Sequence, residues 1–111
     1  MNIFLNKKIL IYGLGKSGLS SYSFLRNKSN IFLYDDNKQR IKSSALKKKL
    51  VKYSSILKLK IDFIIISPGI DINKCNLSSF LKKNRKKIYS DLDVFYSFYK
   101  NDCITITGTN G

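Results

Sequence analysis

A chain of 111 residues is the size of one domain and is long enough to bury an independent core. Its hydrophobic content of 43% indicates a globular protein. No segment approaches the roughly 20 apolar residues of a membrane helix or has a signal-peptide cleavage pattern. We therefore expect a soluble, cytoplasmic protein with no membrane partner. Two cysteines, Cys75 and Cys103, and the absence of histidine argue against a disulfide framework and a metal site.

The formal net charge of +14 raises the possibility of a nucleic-acid binder. The distribution of the charge argues against it, because Lys outnumbers Arg 18 to 3 and occurs with abundant Ile, Asn and Ser, as AT-rich coding sequences produce. The basic runs at residues 47–49 and 82–87 fall at the ends of predicted helices, where cations suit the helix dipole. We expect solvated helix ends and no specific nucleic-acid partner.

The first predicted strand, residues 9–12, leads directly into a glycine loop that fits G-x-G-x-x-G and then into a helix. The first glycine of such a loop permits a tight turn, the second lets a diphosphate approach the backbone, and the third lets the helix pack closely on the strand. The alternative is a glycine turn without a ligand. The loop residues are Gly13, Leu14, Gly15, Lys16, Ser17 and Gly18.

Lys16 admits two interpretations. The sequence Gly-Lys-Ser at residues 15–17 resembles the end of a triphosphate loop, but that motif requires a further glycine at the position of Leu10. Lys16 is therefore either an exposed residue of the first helical turn or a point charge near a phosphate. The helix itself carries Leu19, Tyr22 and Leu25 on one face.

The second predicted strand, residues 31–34, ends at Asp35, about 20 residues after the glycine loop, where related folds place a carboxylate against a ribose or base. A second helix is predicted around Ile41, Ala45 and Leu46. The following stretch, residues 50–60, has the weakest pattern, with a short strand predicted at residues 51–53.

The third predicted strand, residues 63–66, is followed by the turn Ser67, Pro68 and Gly69. This turn either ends the strand or brings a backbone N–H of Gly69 to a ligand. A helix with Leu77, Phe80 and Leu81 on one face follows, with Asn76 as its predicted N-cap.

The last predicted elements are a strand at residues 88–89, a helix after Asp91 and a strand at residues 103–106. The helix has apolar residues at i, i+3, i+4 and i+7, namely Leu92, Phe95, Tyr96 and Tyr99. Because the strands are continuously apolar and alternate with helices, we predict an α/β fold. It should be a Rossmann-like, doubly wound, mainly parallel sheet of about five strands with flanking helices.

The ordered segments GLGKSGLS, YDDN, SPGI, SDLDVF and ITGTNG resemble the N-terminal part of the MurD type of the Mur ligase family over the whole chain. The resemblance implies a UDP-substrate-binding domain over residues 1–102 and the start of an ATP-binding domain over residues 103–111. The implied UDP site comprises the six loop residues together with Asp35, Asp36, Asn37, Ser67, Pro68 and Gly69. The implied ATP loop begins with Gly108, Thr109, Asn110 and Gly111, and Lys and Ser or Thr should follow.

The resemblance further implies an ATP- and Mg²⁺-dependent parent enzyme that joins D-glutamate to UDP-N-acetylmuramoyl-L-alanine in peptidoglycan synthesis. We expect a monomer, no tightly bound cofactor and no catalytic residue in the 111-residue chain itself. Two alternatives remain from the glycine loop and Asp35 alone: a nicotinamide-dependent oxidoreductase, and a nucleotide-sensing module without chemistry. ITGTNG disfavours the oxidoreductase, which has no use for a second phosphate loop. The abrupt end of the chain at this loop disfavours the sensing module.

Overall fold

The computed structural model describes residues 3–37, 41 and 43–99 of the chain. They form a parallel sheet of four strands in the order β2-β1-β3-β4, which confirms the α/β, Rossmann-like prediction. The strands are β1 (Lys8–Tyr12), β2 (Asn30–Tyr34), β3 (Phe63–Ile66) and β4 (Ile88–Tyr89). The predicted fifth strand, residues 103–106, lies outside the described residues.

The two central strands have buried side chains on both faces, as their continuous apolar sequences require. In β1, Ile9 and Ile11 pack into one core and Leu10 into the other. The register places β1 directly beside both β2 and β3, so that Tyr12 pairs with Tyr34 on one side and with Ile66 on the other. The carboxyl ends of three strands therefore meet at one edge of the sheet.

Helices cover both faces of the sheet. The first core includes Leu25 and Val94 from the first and last helices, and the opposite core includes Ile56 and Leu81. The helices are α1 (Lys16–Leu25), α2 (Ser44–Lys47), α3 (Tyr53–Lys58), α4 (Ser78–Lys83) and α5 (Asp91–Tyr99), with a 3-10 turn at Arg85–Lys87. The longest has 10 residues, and no helix in this part of the chain has the length and apolarity to span a bilayer.

The segment between β2 and β3 differs from the prediction. No strand forms at residues 51–53; a single bridge joins Leu50 to Leu33, and Tyr53 begins α3. The prediction was wrong because one backbone pairing at the sheet edge does not propagate once the chain turns into a helix. The helix α2 begins after Ser43, whose side chain accepts the N–H of Leu46, so Ile41 precedes this helix.

The predicted first residues of α4 and α5, and the predicted buried face of α5, differ from the structure. Ser90 and Asp93 exchange hydrogen bonds between side chain and backbone, which places the N-cap of α5 at Ser90. Among the α5 side chains that the structure describes, Val94 is buried and Phe95 packs on Phe24 of α1, whereas Leu92 and Tyr96 are 65% and 56% exposed. The apolar repeat was misleading because several helix faces are apolar and packing against α1 selects one of them. The N-cap of α4 is Leu77, one residue after the predicted Asn76.

Candidate nucleotide-binding site

A pocket of about 270 Å³ lies at the carboxyl ends of β1, β2 and β3. This is the place where doubly wound sheets bind ligands, since the loops leaving neighbouring strands diverge there. Its volume is near the lower end of the range for small-molecule sites. The lining residues come from three segments: the end of β1 through the start of α1, the loop after β2, and the turn after β3. They are Tyr12, Gly13, Gly15, Lys16, Ser17, Asp35, Asp36, Ser67, Gly69 and Ile70.

Two glycines of the first loop are required by the backbone itself. Gly13 has a φ of +94°, and a Cβ there would lie 2.7 Å from Ser67 Oγ. A Cβ on Gly18 would lie 1.8 Å from the carbonyl oxygen of Gly13. These distances confirm the tight turn at Gly13 and the close approach of α1 at Gly18.

The N-terminus of α1 faces the pocket without a capping side chain. Its N-cap is Gly15, no side chain caps it, and the first turn contains no acidic residue. Backbone N–H groups at a helix start lack intrahelical partners and carry the positive end of the helix dipole. Together with Lys16 and the hydroxyl of Ser17, which also line the pocket, they form an arrangement suited to an anion.

Asp35 is buried, at 6% exposure, and fixes the backbone around the pocket. One carboxylate oxygen accepts the N–H of Leu14 at 2.7 Å, and the other accepts the N–H of Asn37 at 2.8 Å. The side chain thus links the glycine loop to the end of β2. Its sequence position indicates a ligand contact; the structure adds a role in ordering the loop.

Asp36 is exposed and takes part in a second set of hydrogen bonds beside the pocket. The hydroxyl of Tyr12 donates to Asp36 Oδ1 at 2.5 Å, and the backbone N–H of Asn76 lies 3.4 Å from Oδ2. Burial raises the pKa of the Tyr12 phenol, and the hydrogen bond to Asp36 raises it further. Tyr12 therefore remains a neutral donor at physiological pH. Burial likewise raises the pKa of the neighbouring Tyr34.

The turn after β3 is attached to the glycine loop. The N–H of Ser67 donates to the carbonyl of Tyr12 at 3.1 Å, and its hydroxyl donates to the carbonyl of Gly13 at 3.0 Å. Gly69 lies beyond this anchor, exposed, and a Cβ there would have no heavy atom within 4 Å. The surrounding atoms therefore leave room for a side chain at this position.

Most of the residues predicted for the site meet in this pocket, and four of them do not line it. Leu14 packs into the core, and Gly18 is buried against the loop. Asn37 and Pro68 are exposed beside the pocket. The predicted ATP-loop residues, Gly108, Thr109, Asn110 and Gly111, lie outside the described residues.

Two lining residues, Tyr12 and Ile70, were missed by the sequence analysis. Each directly flanks a predicted site segment: Tyr12 precedes the first glycine, and Ile70 follows the turn of Ser67, Pro68 and Gly69, hereafter the SPG turn. Their position next to predicted site residues in the sequence was the available signal. Both were interpreted only as apolar residues of the strand or turn.

The fold and the pocket are those of a Rossmann-like domain. A chain with the same fold is UDP-D-quinovosamine 4-dehydrogenase from Vibrio fischeri, with a TM-score of 0.51 and 19% sequence identity over 77% of this chain and 75% of that one. At this identity the similarity establishes the fold alone.

Sequence comparison gives the family. The profile described as "Mur ligase MurD-like, N-terminal domain" matches residues 7–88, and the chain belongs to this family. It is 33% identical to UDP-N-acetylmuramoylalanine--D-glutamate ligase of Rickettsia bellii over 100% of this chain and 25% of that protein. Identity to the ligase of the same name from Lachnoclostridium phytofermentans is 34%, over 97% of this chain and 26% of that protein. The chain thus spans about a quarter of the length of these relatives.

Proposed function

We propose that this domain binds the uridine diphosphate part of UDP-N-acetylmuramoyl-L-alanine in the pocket at the carboxyl edge of the sheet. The diphosphate would lie at the N-terminus of α1, beside Gly15, Lys16 and Ser17. The uridine would lie between the end of β2, with Asp35 and Asp36, and the turn at Gly69.

The observation that carries this proposal is the division of the pocket into two chemically different ends. One end offers an uncapped helix N-terminus, a lysine and a hydroxyl, which suit phosphate oxygens. The other end offers carboxylate oxygens, which accept hydrogen bonds from sugar hydroxyls or a base N–H. A nucleoside diphosphate presents acceptors at one end and donors at the other, in the matching order.

We propose further that the parent protein is the D-glutamate-adding ligase of peptidoglycan synthesis, as the names of the relatives suggest. It would be a cytoplasmic monomer in which residues 1–102 form the substrate domain and residues 103–111 begin the ATP-binding domain. ATP with Mg²⁺ would supply the phosphoryl group that activates the substrate carboxylate. The described residues would hold and orient the UDP end of the substrate, away from that chemistry.

The 111-residue chain by itself should not turn over substrate. Asp35 and Asp36 are the pocket's carboxylates, and both are engaged by protein donors rather than by a partner suited to proton transfer. Incubation with UDP-N-acetylmuramoyl-L-alanine, ATP, Mg²⁺ and D-glutamate should release no phosphate. Phosphate release that persists after contaminating enzymes are removed would contradict a purely binding role.

Calorimetric titration of the chain with UDP and with NAD⁺ tests the ligand. We expect UDP to bind more tightly, because a MurD-like domain has to recognise a UDP substrate. Tighter binding of NAD⁺ would instead favour an oxidoreductase, and binding of neither would contradict the proposed site.

A charge-matched pair of variants tests where the diphosphate lies. Lys16→Ala should weaken UDP binding by about two- to fivefold, as expected for an exposed charge near a phosphate. Lys48→Ala, an exposed lysine in the turn after α2, removes the same charge and should leave the affinity unchanged. Equal losses in both variants would show that the general positive charge of the protein attracts UDP.

A further inference from the structure

We propose that Tyr12 is a positioning residue of the nucleotide site, because its buried hydroxyl holds Asp36 and, through it, joins the loop after β2 to the segment after the SPG turn. This role rests on the proposed binding of a nucleoside diphosphate. Tyr12 itself need not touch the ligand through its hydroxyl.

Packing fixes the ring of Tyr12. The residue is 1% exposed at the end of the central strand β1, and its ring contacts that of Tyr34 edge to face at a centroid distance of 5.5 Å. A phenol held this rigidly offers its O–H in one place, so its hydrogen bond to Asp36 requires little further ordering of the donor.

The acceptor, in contrast, is a side chain that burial does not fix. Asp36 is exposed, and an exposed carboxylate samples several rotamers. Two donors from different parts of the chain hold it here: the Tyr12 hydroxyl on Oδ1 and, at a longer distance, the Asn76 N–H on Oδ2. Of these two, the short bond to a rigid donor contributes more to the orientation.

The three residues connect two walls of the pocket. Asp36 follows β2, whereas Asn76 closes the segment that runs from the SPG turn to α4. Ser67 already ties the start of that segment to Gly13, and Asp36 ties its end to the β2 loop. Loss of the Tyr12 hydroxyl would release Asp36 and weaken the second of these ties.

Asp36 keeps acceptor capacity for a ligand. Each carboxylate oxygen has two lone-pair positions, and one protein donor on each leaves the others for a third partner. An ionised carboxylate only accepts hydrogen bonds, so the ligand group it fits is a donor: a base imide N–H or a ribose hydroxyl. Tyr12 thereby fixes the position of the acceptor that such a donor meets.

The variant Tyr12→Phe removes the hydroxyl and retains the ring that packs on Tyr34. We expect its affinity for UDP to fall by about five- to twentyfold, less than for full loss of a hydrogen bond to a charged group, because Asp36 keeps the Asn76 N–H. The matched control is Tyr89→Phe, which removes a hydroxyl from the half-buried aromatic cluster of β4 and should bind UDP like the unsubstituted chain.

A double-mutant cycle separates positioning from general stability. If Tyr12 acts through Asp36, Tyr12→Phe should change the affinity by less than about twofold in an Asp36→Ala background. Equal losses in both backgrounds would show that the hydroxyl supports the fold in general, and would overturn the proposal. Unchanged UDP binding by Tyr12→Phe alone would also overturn it, while leaving the proposed function intact. Failure of the unsubstituted chain to bind UDP would overturn the proposed function and this role together.

Discussion

The glycine loop at residues 13–18 and the turn at residues 67–70 leave neighbouring central strands at the same edge of the sheet, but they use glycine for different reasons. In the first loop, Gly13 has a positive φ and Gly18 has no room for a Cβ. In the second turn, a Cβ on Gly69 would meet nothing within 4 Å. The first loop needs Gly13 and Gly18 in order to fold, whereas the second turn does not need Gly69.

This contrast shows that a glycine in a binding motif can serve the backbone, the ligand or both. Gly13 and Gly18 bring α1 against the end of β1 and thereby aim the helix N-terminus at the pocket. Gly69 lines the same pocket with no such constraint. A ligand that packs on the turn is the reason we propose for glycine at this position.

The largest effect is expected for Gly18→Ala. The added methyl group would overlap the carbonyl of Gly13, 1.8 Å away, so α1 and the loop would have to move apart. We expect a loss of about 3 kcal/mol in the free energy of unfolding, measured by urea denaturation. The control Ser20→Ala, at an exposed position of the same helix, should change stability by less than about 0.5 kcal/mol. A stable Gly18→Ala variant would remove the distinction between the two turns.

Asp35→Ala should have the next largest effect. It leaves the N–H of Leu14, which now donates to the buried carboxylate at 2.7 Å, without that partner. We expect stability to fall by about 1–3 kcal/mol. Asp35→Asn keeps one acceptor oxygen and should lose less, as thermal melts of the two variants would show. If Asp35→Ala melts like the unsubstituted chain and loses only UDP affinity, Asp35 serves the ligand and does not order the loop.

Ser67→Ala tests the attachment between the two turns. It removes the hydroxyl that donates to the carbonyl of Gly13 at 3.0 Å, while the backbone bond from Ser67 to Tyr12 remains. We expect a loss of about 1 kcal/mol in unfolding free energy. Ser79→Ala, on the exposed face of α4, provides the matched comparison and should stay within about 0.5 kcal/mol of the unsubstituted chain. Similar values for the two variants would indicate that the Ser67 hydroxyl adds nothing to the attachment between the turns.

The smallest effect on stability is expected for Gly69→Ala. With open space around the added methyl group and no positive φ, the change in unfolding free energy should be within about 0.5 kcal/mol, or slightly favourable. Its affinity for UDP should nevertheless fall, because the methyl group would occupy part of the pocket wall. Calorimetry beside a urea titration measures both quantities. Loss of stability without loss of affinity would reverse the interpretation of this turn.

The sequence by itself determined the fold class and the location of the pocket. Four of the strands were predicted to within one residue, because buried parallel strands are continuously apolar and their ends are marked by glycine, aspartate or serine. The family followed from five short segments in a fixed order, and the match to residues 7–88 confirms it. Local chemistry was sufficient for the fold class and the pocket, and the resemblance of the ordered segments was sufficient for the family.

Only the tertiary structure decided which side chains serve the backbone and which face the pocket. Asp35 and Asp36 are adjacent and chemically identical in the sequence, yet one is buried on backbone N–H groups and the other is exposed beside Tyr12. The buried face of α5 was likewise decided by contact with α1: of the predicted repeat Leu92, Phe95, Tyr96 and Tyr99, Phe95 packs on Phe24, whereas Leu92 and Tyr96 are exposed. Burial and hydrogen-bond partners depend on residues distant in the chain. Local sequence patterns do not show which of these distant residues pack against a given side chain.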